Sequence, residues 1–156
     1  GALRGGPFAR PARPWPRWSR LDALLERASA VARAAGLEVR IDGSGCVLAL
    51  ATLPSEEAFE RAVRERVLAA ALALVKEGDA SDHARRVALA VTVHVAPLPL
   101  AEGRGGLLRL PTWAASAEPG LVVSEAVMRG LEPGFVTEPE PEPGASAGRL
   151  RITGSR

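Results

Sequence analysis

The sequence predicts an α+β domain, an antiparallel sheet with two helices packed on one face. Three observations carry that expectation. Residues 37–51, LEVRIDGSGCVLALA, read as a β-hairpin, two short apolar runs around a polar turn. Helical patterns precede and follow it. Residues 86–96, RVALAVTVHVA, then alternate as a strand.

Taken in order, residues 1–18 hold Pro7, Pro11, Pro14 and Pro16 among four arginines, with no acidic residue before Asp22. The prolines forbid a regular helix there and allow at most an edge strand near Leu3 to Ala9. The stretch reads as a Pro/Arg-rich arm, with residues 19–156 as the domain proper. Ser19 with Asp22 is a capping-box start, and Leu21, Leu24, Leu25, Ala28, Val31, Ala32 and Ala35 recur at helical spacing. Gly36 is placed as the residue that ends this first helix.

In the hairpin, Leu37, Val39 and Ile41 alternate with Glu38 and Arg40, while Cys46 to Leu50 are nearly all apolar, as in a strand covered on both faces. Cys46 reads as a buried thiol acting as a small hydrophobe. Pro54-Ser55-Glu56-Glu57 opens a second helix, with acids where the macrodipole favours them. Phe59, Val63, Val67, Ala70 and Leu74 form its buried stripe. Glu57–Arg61 and Glu60–Arg64 read as i,i+4 pairs on the solvated side, and Gly78 as the end of the helix.

Beyond the 86–96 strand, residues 97–110 read as loop with a short strand at Leu107 to Leu110, and 112–118 as a short helix. Pro119-Gly120 is a turn, Leu121 to Val123 a brief strand, and Ser124 the cap of a short helix from Glu125 to Leu131. The Glu-Pro repeat within 132–148 reads as an exposed arm or loop. Arg149 to Ile152 read as a last strand.

Composition narrows the function classes. The chain has 156 residues, 47% of them hydrophobic and 24% charged, an ordinary globular balance. A net charge of +2 is too small to imply a nucleic-acid partner. The predicted strands 37–41, 46–51 and 86–96 carry no aromatic residue on which a base could stack, which sets aside an RNA-recognition domain. One cysteine allows neither an intrachain disulfide nor a cysteine-based metal site. No apolar run reaches membrane-spanning length, so a cytoplasmic location without a membrane partner is expected. The Gly-Ala start reads as a piece of something longer or a vector remnant.

With an edge strand in front, the order helix, hairpin, helix, strand becomes βαββαβ, the ferredoxin-like split βαβ, here with extra C-terminal strands. Several segments together then resemble a class III adenylate/guanylate cyclase homology domain. The hairpin turn Gly43-Ser44-Gly45 stands where that family has Gly-Asp-Gly. Val91-Thr92-Val93-His94 is similar to the end of its next strand. Residues 119–126, PGLVVSEA, are the most specific match, and Arg151-Ile152-Thr153-Gly154 echoes a terminal element. The resemblance spans about residues 19–154. A diguanylate-cyclase hairpin fits less well, because the turn lacks its acids.

The resemblance implies a two-metal cyclisation chemistry, and this sequence lacks the side chains for it. The metal-binding carboxylates fall on Ser44 and, through Phe8-Ala9-Arg10, on Arg10. The transition-state Asn and Arg fall on Leu108 and Thr112. Asp42 could replace Ser44 only if the turn slipped by one residue. Arg40, Ser44 and His94 remain as residual nucleotide-lining positions, although a strand-face Arg and a hydrogen-bonded structural His explain two of them equally well. The expectation is therefore a pseudo-cyclase with no catalytic residues, metal or cofactor. It would act as a regulatory, dimerising module of a bacterial signalling protein, pairing with itself or a similar domain. The alternative is a nucleotide-binding sensor without turnover.

Overall fold

The structure is a computed structural model that describes residues 16–43, 45–80, 89–96, 118–140 and 148–156. Helices and strands are mixed, as an α+β class requires. Helix α1 spans Pro16–Ala34, strand β1 Glu38–Gly43 and strand β2 Cys46–Leu50. Helix α2 spans Glu57–Ala80, strand β3 Ala90–Val93, strand β4 Gly120–Ser124 and the short helix α3 Glu125–Met128. A 3₁₀ turn at Glu132–Gly134 leads into strand β5, Phe135–Pro139, and strand β6 is Arg149–Ser155.

Helix α1 starts four residues before the predicted Arg20. Pro16 is its first residue, where a proline costs no intrahelical hydrogen bond. Its end is as expected. Gly36 has φ +86°, its N–H reaches the Arg33 carbonyl, and the Leu37 N–H reaches the Ala32 carbonyl, both at 3.0 Å. Those two bonds make a Schellman motif, which turns the chain back along α1 into β1.

β1 and β2 pair antiparallel, with Gly43 opposite Cys46. Val39 faces Ala49 and Ile41 faces Leu48, so Arg40 is an extra residue in a bulge. The bulge breaks the predicted alternation and leaves Ile41 exposed. Cys46 is also exposed, contrary to the buried thiol expected, because it starts β2 beside the turn.

Helix α2 runs through Gly78 to Ala80, past its predicted end. A Cβ at Gly78 would lie 3.8 Å from the Leu89 Cβ, so the glycine sits close against the chain leading into β3. β3 is four residues within the predicted 86–96 strand, of which 86–88 lie outside the described residues. The predicted elements within 97–117 also lie outside them, as does the predicted edge strand at Leu3 to Ala9.

The described strands form two sheets where one was expected. The hairpin β1-β2 stands alone, and the other four strands run in the order β3-β4-β6-β5. β3 and β4 are parallel, and the remaining neighbours are antiparallel. The expected arm at 132–148 is partly structured. Its first half supplies β5, an edge strand that ends on Pro139, and an edge is where a sheet tolerates proline. Residues 141–147 lie outside the described residues.

The core lies between α2 and the four-stranded sheet. Leu68, Leu121, Val123 and Val127 are fully enclosed, with Met128, Phe135 and Ile152 around them. The stripe of α2 that enters this core is Leu68, Ala71 and Leu72, one step around the helix from the predicted one. Phe59, predicted to be buried, is 60% exposed. Leu68→Ala is expected to lower unfolding stability by about 2–5 kcal/mol. Phe59→Ala is expected to stay within about 0.5 kcal/mol. Urea unfolding of the two variants checks both values.

Candidate functional site

The predicted stripe of α2 faces a groove. Val63, Val67, Ala70 and Leu74 line it from α2, and Leu25, Ala28, Val31 and Ala32 line it from α1. Its volume is about 880 Å³. The walls are β2 on one side and β3 on the other, so the groove occupies the gap between the two sheets.

Of the residues proposed from sequence, Arg40 and His94 line this groove. Arg10, Ser44, Leu108 and Thr112 lie outside the described residues. Arg40 is more than half exposed, and its guanidinium reaches the Glu38 carboxylate at 2.9 Å. His94 is half-buried just past β3. Burial, with the Arg149 charge nearby, pushes its imidazole below the ordinary histidine range. At neutral pH the groove therefore holds a neutral imidazole and an arginine already matched by an acid. Among the described residues, no three His, Cys, Asp or Glu side chains gather where they could hold a metal ion.

Arg64 is the buried charge beside the groove, and it was expected on the solvated face. It is 7% exposed. Its Nε and Nη2 donate to both Glu60 carboxylate oxygens, at 2.7 and 2.8 Å. Its Nη1 donates to the carbonyls of Val127 and Arg129, at 2.8 and 2.7 Å. A buried guanidinium needs this saturation, and here α3 and the residue after it provide half. Arg64 also holds the Glu60 carboxyl below its ordinary range. That stabilisation is complete at neutral pH and is lost as pH falls below the usual glutamate value. By contrast, the Glu57–Arg61 pair is exposed, as predicted.

The PGLVVSEA segment forms the other structured node. Gly120 has φ +124°, and a Cβ there would meet the Arg151 Nη1 at 2.6 Å. Arg151 donates to the Pro119 carbonyl at 2.8 Å and grips both oxygens of Glu140 at 2.9 and 2.8 Å. The Pro-Gly turn is thus tied to β6 and to the residue after β5. Ser124 occupies the cap position of α3 as predicted but makes no capping hydrogen bond. Its buried hydroxyl has no hydrogen-bond partner among the described residues.

Comparison with protein-family models, curated proteins and solved structures found no match to this chain. The described helices include none long and apolar enough to cross a membrane.

The depressed imidazole gives a pH prediction. Between the lowered folded value and the ordinary unfolded value near 6.5, the unfolded chain binds more protons at His94 than the folded chain does. Stability should therefore fall as pH drops from about 7 to about 5. His94→Gln should flatten that part of the curve. Thermal unfolding of both proteins across this pH range checks it.

Proposed function

We propose that this chain is a catalytically inactive, class III cyclase-like domain that works as a regulatory and dimerising module of a bacterial signalling protein in the cytoplasm. The observation that supports it most is where the most specific motif lies. Pro119-Gly120 makes a tight turn, Leu121, Val122 and Val123 form a buried strand parallel to β3, and Glu125-Ala126 begin α3 against the core. The motif is thus part of the structural centre, in the order the resemblance implies: hairpin, α2, β3, β4, then antiparallel strands.

The positions where the family needs acids, an amide and a transition-state arginine hold Ser44, Arg10, Leu108 and Thr112. A neutral hydroxyl does not replace a charged metal ligand, and a leucine does not stabilise a phosphoryl transition state. A ferredoxin-like core with added C-terminal strands is the finer fold reading. It rests on the order of β1, β2, α2 and β3 along the chain. The head-to-tail pairing of the family supports a homodimer, or a heterodimer with a similar domain.

A second reading has one observation in its favour. Arg40 and His94 line the same groove, as a nucleotide sensor would require. The rest of the lining is mostly apolar, and its two arginines are engaged, Arg40 by Glu38 and Arg64 by Glu60. Little positive charge is left for a triphosphate.

A thermal-shift titration of the whole chain with ATP, GTP and cyclic nucleotides, with and without Mg²⁺ or Mn²⁺, separates the readings. A ligand at a hundred times its Kd adds about 2.7 kcal/mol, several degrees in Tm. The expected result is no shift, together with a dimer mass by sedimentation at high concentration. A clear shift favours the sensor. Cyclic nucleotide formation above a blank would refute the inactive reading, and a strictly monomeric mass would refute the pairing.

A further inference from the structure

We draw no further inference here: the strongest candidate, the apolar groove between the β1-β2 hairpin and β3 with α1 and α2 along it, carries nothing, because nothing among the described residues shows what covers it.

Discussion

Arg64 sets the rotation of α2, and much of the described structure follows from that. A guanidinium with so little exposure is tolerable only if its donors are used. Glu60 accepts two of its hydrogen bonds, and the Val127 and Arg129 carbonyls at the end of α3 accept two more. Removing one partner of such a buried pair leaves an uncompensated charge, which costs about 3–5 kcal/mol. The geometry permits one orientation of the helix. With Arg64 turned to α3, Leu68 and Leu72 enter the core behind it, one and two helical turns further along. Val63, Val67 and Leu74 are then carried to the other side, above the groove. The core and the groove are therefore two faces of one helix, fixed by one side chain.

Arg151 does the equivalent for the C-terminal half. It holds the Pro119 carbonyl, both Glu140 oxygens and, at 3.6 Å, the Glu118 carboxylate. Its guanidinium lies where a Cβ on residue 120 would be, so glycine is required there for space as well as for its positive φ. The Pro-Gly turn could be recognised in the sequence as a turn. Its anchoring could not, because the arginine that explains the glycine comes 31 residues later and on a different strand.

What the sequence revealed was local, and what it concealed depended on distant partners. The hairpin, the Gly36 stop and β4 each rest on residues within a few positions, and each is where the pattern placed it. Glu57–Arg61 and Glu60–Arg64 have identical spacing, yet one is exposed and the other buried. The difference lies in α3, more than sixty residues away. The α2 stripe is right only in part for the same reason: Leu74 is buried as expected, while Val63, Val67 and Ala70 are half-buried and Phe59 is exposed. The helix carries two apolar stripes, and periodicity marks both without saying which one meets the core. Phe59 lies in line with the groove-side stripe but near the start of the helix, where it is 60% exposed. Of the site residues, Arg40 and His94 line one groove, and each sits on or just past a strand that the sequence pattern locates, although the bulge at Arg40 was not legible in that pattern.

The chemistry of the groove bears on what it can hold. Nucleotide triphosphates are bound by concentrated positive charge and by backbone N–H groups gathered at a helix N-terminus or turn. Here the groove's two arginines are each paired with a glutamate, Arg40 with Glu38 and Arg64 with Glu60, and the imidazole of His94 is driven toward neutrality. What the groove has in quantity is apolar helix surface and strand edge. Apolar surface rewards burial at about 25 cal/mol per Å², and strand edges reward a partner with a peptide backbone. Both favour an extended polypeptide over a charged small molecule.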